Sequence, residues 1–232
     1  MPLRIAGIDG CKAGWVVVSS DIDDPAGATR VVTDDLNATL DAEGIELAVI
    51  DIPIGFSDGP GARDVEAAMR GFLKGKSSSV FNTPCRAAMH EATYFDASHV
   101  NAHHLGKRLT KQSFMLFPKM IEVDAVVARV TQVRLKEGHP EVSFAWLNGG
   151  VPVLSQKRKP AGQADRCHLL RQVGIDGDAL LDGLRGPACG RDDVLDAAAL
   201  MWTAGRVARN EHETYPAAPG RDAAGLEMSV VA

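Results

Sequence analysis

Two of the most apolar runs in this chain each carry an aspartate at their end. LRIAGID, residues 3–9, stops at Asp9, and IELAVIDIPIG, residues 45–55, reaches Asp51 directly after AVI. Near-continuous apolar runs of this kind read as strands buried on both faces, and so as central strands of a sheet. A core strand has no use for a charge, so each carboxylate belongs at the edge of the sheet, just past the core. Two carboxylates a few ångströms apart repel one another unless a cation lies between them.

The rest of the chain constrains how those strands are arranged. After Asp9 the chain turns around Gly10 and Gly14 into GWVVVSS, then passes the loop DDPAGA into TRVVTD, an apparent meander of three short strands. DLNATLDAEG reads as a short helix capped by Asp34 or Asp35 and stopped at Gly44, and the Asp51 run follows as the fourth strand. Residues 57–120 then read as a helical insertion or flap, with a Gly-rich entry, a helix and a Ser-rich loop. MIEVDAVVARVTQVRL reads as a helix over 120–135 and EVSFAWLNGG as a fifth strand opened by Glu141. PAGQADRCHLLRQVG, DGDALLDGLR and the alanine-rich DDVLDAAALMWTAGRVAR read as the last helices. The expected organisation is one domain over 1–214 and a loose tail over 215–232, rich in Pro and Gly.

Three strands, helix, strand, helices, strand, helix is the order of the ribonuclease H-like α/β fold. The expected sheet has five strands, the second antiparallel to the rest, flanked by helices. That arrangement puts Asp9 and Asp51 side by side. In the last helix, Asp192 and Asp193 lie four and three residues before Asp196, so either shares a helix face with it. The alanines after Asp196 let this helix lie close on the sheet. Asp9, Asp51 and Asp196, with Asp193, thus form a candidate site for Mg2+ or Mn2+, hard cations that prefer oxygen ligands. Two such ions activate a water and stabilise a leaving oxygen in phosphodiester hydrolysis. Glu141 is a further candidate, as a ligand or as a support for one, and His139 beside it is a candidate proton shuttle.

The basic residues suggest where phosphates would bind. Lys12 lies three residues after Asp9, Arg70, Lys74 and Lys76 fall in the flap, and Lys157, Arg158, Lys159 and Arg166 follow the fifth strand. The net charge of −5 excludes a global basic field, so a nucleic-acid partner must be held by such local patches. The four cysteines, Cys11, Cys85, Cys167 and Cys189, are far apart in sequence and form no C-x-x-C pair, which reads as reduced thiols in a cytoplasmic protein without a zinc site. No apolar run reaches the ~20 residues of a membrane span, so no membrane partner is expected. No serine or cysteine stands at a known catalytic spacing from a histidine.

The segments GIDGCKAGWVVV, AVIDIPIGF, KSSSVFNTPCR, LTKQSFMLFPKMIEVD, HPEVSFAWLNGG and DDVLDAAALMWTA together resemble a family catalogued as domain of unknown function 429, predicted RNase H-like nucleases. The resemblance covers nearly the whole chain. It implies the ribonuclease H-like fold and a nuclease activity on a nucleic acid of unspecified type. LDAAAL also looks like the last helix of Holliday-junction resolvases, where an aspartate before small residues binds metal, and that likeness falls on Asp196. Two other expectations stay open: a nucleotide-binding kinase or ATPase of the same superfold, with GIDGCKAGW as its phosphate turn, and a non-catalytic binding module.

Overall fold

The computed structural model describes residues 2–130 and 134–232. In chain order the elements are β1 (Arg4–Cys11), β2 (Gly14–Asp21), β3 (Thr29–Thr33), α1 (Leu36–Ala42), β4 (Leu47–Ile50), α2 (Val65–Phe72), α3 (Tyr94–Leu105), α4 (Lys111–Met115), α5 (Phe117–Val130), β5 (Leu135–Glu137), α6 (Pro140–Leu147), α7 (Pro160–Gln172), α8 (Gly177–Leu181), α9 (Arg191–Ala208), β6 (Thr214–Arg221) and β7 (Glu227–Val231). Among the described residues no helix is long and apolar enough to cross a membrane.

The chain divides into two compact units. The first comprises Met1–Asp51, Val133–Glu213 and Val231–Ala232. Its described strands form a five-stranded sheet in the order β3-β2-β1-β4-β5. β2 runs antiparallel to both β1 and β3, while β4 lies parallel to β1 and β5 parallel to β4. The sheet is therefore mixed, with one strand reversed, as the element order predicts. β1 and β2 are joined through the exposed pair Lys12–Ala13, and Gly14 takes a φ of +126°, where a side chain would run into the Thr33 carbonyl.

α9 packs on β1, β2 and β4, and α6, α7 and α8 pack against α9. The helix lies close because of Gly7: a Cβ at that position would stand 2.0 Å from the Ala197 carbonyl oxygen and 2.1 Å from the Met201 amide. Ala197, Ala198 and Ala199 are completely buried there, so the alanine run works as a flat face against the sheet. Asp35 caps α1, its side chain accepting the Ala38 N–H at 2.9 Å.

The second unit comprises Ile52–Gln132 and Thr214–Val230. It holds α2 to α5 and the two-stranded sheet of β6 and β7. The expected helical character of residues 57–120 is present in α2, α3 and α4. Arg86 is its hub: the guanidinium pairs with Asp124 at 2.6 Å, Asp222 at 2.7 Å and Asp58 at 3.7 Å, and lies over the Phe56 ring. Arg63 is buried on Glu66, and both meet the Thr83 hydroxyl.

Three expectations are corrected here. EVSFAWLNGG is not the fifth strand. Residues 140–147 form α6, with Pro140 at its first turn and His139 extended before it, and Glu141 lies in that turn. All of Pro140–Ala145 is buried, so the apolar run has no exposed face whose period distinguishes strand from helix. The fifth strand is the three-residue LKE of β5, too short to leave a pattern. The helix expected over 120–135 accordingly ends too late: Leu135 belongs to β5, and 131–133 lie outside the described residues. The tail over 215–232 is not loose either. β6 and β7 pair within it, Glu213 and Ala232 exchange backbone hydrogen bonds of 2.8 and 3.0 Å, and Val231 bridges Gly138. The two prolines and the glycine of TYPAAPGR hide a two-stranded ribbon, a context in which proline's missing N–H is tolerated.

Candidate functional site

The register of the first unit's sheet places the two strand-end carboxylates. β1 and β4 pair Ile8 with Ile50, and the Asp51 N–H continues the ladder by donating to the Ile8 carbonyl at 3.0 Å. The next position along both strands is Asp9 beside Asp51. Asp9 is buried, and its Oδ1 accepts the Gly10 N–H at 2.7 Å, which fixes the carboxylate to its own turn. Asp51 is half-buried.

α9 delivers the third carboxylate. Asp196 is only 1% exposed. Its Oδ2 receives the Lys157 ammonium at 2.5 Å, while its Oδ1 is buried with no hydrogen-bond partner. A buried carboxylate oxygen left unpaired costs about 1–3 kcal/mol or more, so this atom marks a place where a positive group is favoured.

The three aspartates perturb one another. Burial first, then the charges of Asp51 and Asp196, push the Asp9 carboxyl well above the usual carboxylate value; Lys157 pulls it back and Asp193 adds to the rise. Burial likewise raises Asp51 to about 6, against the pull of Lys157 and with a push from Glu141. Asp196 is also raised by burial to about 6, with Lys157 opposing and Glu141 and Asp51 contributing. Burial disfavours the Lys157 ammonium, but the surrounding Asp196, Asp9 and Asp51 outweigh that and raise its pKa. Two buried carboxylates and the half-buried Asp51 thus face one ammonium, a deficit of positive charge that a hard cation would fill.

The other expected acidic residues lie around this centre in different roles. Asp193 Oδ2 accepts the Gly190 N–H at 2.8 Å and so caps α9, although its charge is felt at Asp9. Asp192 is buried and meets Arg158 at 3.2 Å. Glu141 takes the Arg166 guanidinium through both carboxylate oxygens, at 2.8 and 3.0 Å, and reaches the centre through its field on Asp51 and Asp196. Among the described residues no group of three or more His, Cys, Asp or Glu side chains stands placed to hold a metal ion. The fit to a cation rests instead on the orphaned Asp196 oxygen and on the all-oxygen donor set of Asp9, Asp51 and Asp196.

The basic residues scatter more widely. Lys157 is in the centre itself. Arg158 and Lys159 are exposed at its loop, and Lys12 is exposed in the β1–β2 turn. Arg166 is fully buried on Glu141, which corrects its expected place in a phosphate-binding cluster. In the second unit, Arg70 donates to the Val80 carbonyl at 2.9 Å and to Asn82 Oδ1 at 2.6 Å, tying the Ser-rich loop. Lys74 is exposed and Lys76 half-buried.

Two features escaped the sequence reading. The Lys157–Asp196 pair joins a loop to a helix 39 positions away, and no local pattern announces it. Cys11 and Cys189, 178 residues apart by number, are both buried, the Cys189 thiol donating to the Gly190 carbonyl at 3.6 Å, and burial together with Cys11 pushes Cys189 up to about 12. A backbone bond from Ala13 N–H to the Ala188 carbonyl, at 2.9 Å, holds the two segments together beside Asp9.

No curated protein and no solved structure matches the chain. A family model does match it, over residues 7–221, which include the second half of β1, β4 and α9 with all three aspartates. The chain therefore belongs to the family described as protein of unknown function (DUF429).

Proposed function

We propose that this protein is a divalent-metal-dependent nuclease of the ribonuclease H-like fold. The observation that carries the reading is the mutually repelling set of buried Asp9 and Asp196 and half-buried Asp51, with one oxygen of Asp196 unpartnered. The sheet order β3-β2-β1-β4-β5 with β2 reversed supports the fold assignment.

Asp9, Asp51 and Asp196 would hold Mg2+ or Mn2+, and the bound metal would supply a polarised water and neutralise charge on the scissile phosphate. The protein's own part is rigidity and field. Asp9 and Asp51 are fixed on hydrogen-bonded neighbouring strands, and Asp196 is fixed by the contact of α9 with Gly7. Without a cation the centre repels a phosphodiester, so cation loading and substrate binding are coupled. Glu141, locked by Arg166, deepens the negative field without lending its oxygens. Asp193 keeps the first turn of α9 closed so that Asp196 stays aimed at the centre.

The test is hydrolysis of labelled single-stranded, duplex and hybrid DNA and RNA in Mg2+, Mn2+ or EDTA. Cleavage should need metal and should fall by orders of magnitude in Asp9→Asn and Asp196→Asn. Equal cleavage in EDTA, or full activity in both variants, refutes the reading. The Lys157 ammonium on Asp196 favours a second reading, a non-catalytic module whose centre is partly neutralised from within; nucleic-acid binding without metal-dependent cleavage would establish it.

A further inference from the structure

We infer that Lys157 is a displaceable counter-ion of the carboxylate centre, seated on Asp196 in the metal-free protein and released toward a substrate phosphate when a divalent cation takes its place. This inference rests on the metal-centre reading above.

Three observations carry it. The first is where the ammonium sits: 2.5 Å from Asp196 Oδ2, in the field of Asp9 and Asp51 as well. One tethered positive charge cannot satisfy three carboxylates, and Asp196 Oδ1 stays unpartnered beside it. The ion pair is thus an incomplete solution to the repulsion, one that a divalent cation with several oxygen ligands improves on.

The second is that the side chain has a way out. Asp196 is 1% exposed on its side chain but Lys157 is 34% exposed. A lysine stem has four rotatable methylenes and a strongly hydrated head, so the ammonium can leave for water without dragging buried apolar surface behind it.

The third is that the backbone under Lys157 is held by contacts that do not involve its side chain. Gly162 approaches the loop so closely that a Cβ there would lie 2.1 Å from the Gln156 carbonyl oxygen. Buried Arg166 donates to the Ser155 carbonyl at 3.3 Å and to the Gly162 carbonyl at 3.1 Å, while its other amine holds Glu141. The residues flanking Lys157 are therefore anchored to α6 and α7. Movement is confined to the lysine side chain, which stays within reach of the centre after release.

The experiment compares wild type with Lys157→Met and Lys157→Arg in the full chain. Mn2+ affinity is measured by calorimetry and by the spin resonance of free Mn2+, at pH 7.5 and 0.1 M salt. Loss of a competing charge should tighten Mn2+ binding about tenfold in Lys157→Met, with Lys157→Arg close to wild type. A second measurement needs no variant: the rate of amine acetylation at Lys157, followed by mass spectrometry, should rise several-fold on adding saturating Mn2+. Unchanged affinity in Lys157→Met, or unchanged acetylation in wild type, overturns the inference. With Mn2+ saturating, Lys157→Met should lower the salt slope of nucleic-acid binding by roughly 1; an unchanged slope overturns the phosphate half. These readouts need no turnover, so the two readings fail separately. Tighter Mn2+ binding without cleavage by wild type removes the nuclease and keeps the counter-ion. Cleavage with unchanged Mn2+ affinity does the reverse, and no Mn2+ binding by either protein removes both.

Discussion

Replacing Asp9 by Asn should stabilise the metal-free protein at neutral pH, although Asp9 is buried at the centre of the sheet. Asn keeps the shape and can keep an oxygen on the Gly10 N–H. What it removes is a charge that burial and two neighbouring carboxylates oppose. The neighbouring Asp196, 1% exposed, shows the same effect, raised by burial from 3.8 to about 6. That difference corresponds to about 3 kcal/mol of ionisation cost. The sign is set by the direction of the shift: a carboxyl raised in the folded state carries no penalty below the unfolded value. For Asp9 the penalty grows as the pH rises above the unfolded value of about 4. Asp9→Asn loses the attraction of Lys157 but is relieved of its own burial cost and of repulsion with Asp51 and Asp196. The net gain should be on the order of 1–3 kcal/mol at pH 7.5, about 2–4 °C in Tm per kcal/mol, and should shrink toward zero near pH 4. Thermal unfolding in EDTA at pH 4.5, 6 and 7.5 measures it. Wild-type stability should fall over the same rise in pH, and Mn2+ should raise the Tm of wild type but not of the variant. A lower Tm for Asp9→Asn at pH 7.5, or a gain that does not depend on pH, would refute the electrostatic account of the centre.

Other outcomes follow from neighbouring contacts. Gly7→Ala forces a methyl into the backbone of α9 and should cost more than about 3 kcal/mol, read by urea unfolding; a near-neutral effect would show that α9 does not sit on β1 as described. Glu141→Gln leaves the fully buried Arg166 charge uncompensated and should destabilise by about 3 kcal/mol while lowering the pKa values of Asp51 and Asp196. Carbon-13 spectra of the labelled carboxyls would report the latter, and unshifted carboxyls would remove Glu141 from the site's field. Lys74→Ala should reduce the salt slope of nucleic-acid binding by roughly 1 if this exposed lysine meets a phosphate, whereas Arg70→Ala should loosen the loop it ties, seen as faster amide exchange around Val80. All four thiols are buried, so a disulfide reagent at pH 7.5 should label them slowly until urea unfolds the chain; a fast-reacting thiol in the native protein would contradict that burial.

The sequence by itself determined the elements whose patterns are local. LRIAGID, GWVVVSS and AVI are strands because continuous apolar runs bounded by turn residues have few other ways to be buried, and Asp35 and Gly44 delimit α1 by capping chemistry that acts over three or four residues. It also marked Asp9, Asp51 and Asp196 as one group, because strand order fixes which strand ends are neighbours and alanine after Asp196 demands a close helix contact. Tertiary structure decided the rest, where a residue's role depends on a partner distant in the chain. Glu141 could not be told apart as ligand or clamp until Arg166 was found on both its oxygens, and α6 could not be told from a strand because every face of it is buried. The β6–β7 ribbon is irregular by composition and exists only because the two segments pair with each other. Lys157 reads in the sequence as one of a run of surface cations; it becomes part of the centre because the fold brings its loop onto Asp196, a long-range electrostatic choice that no local period records.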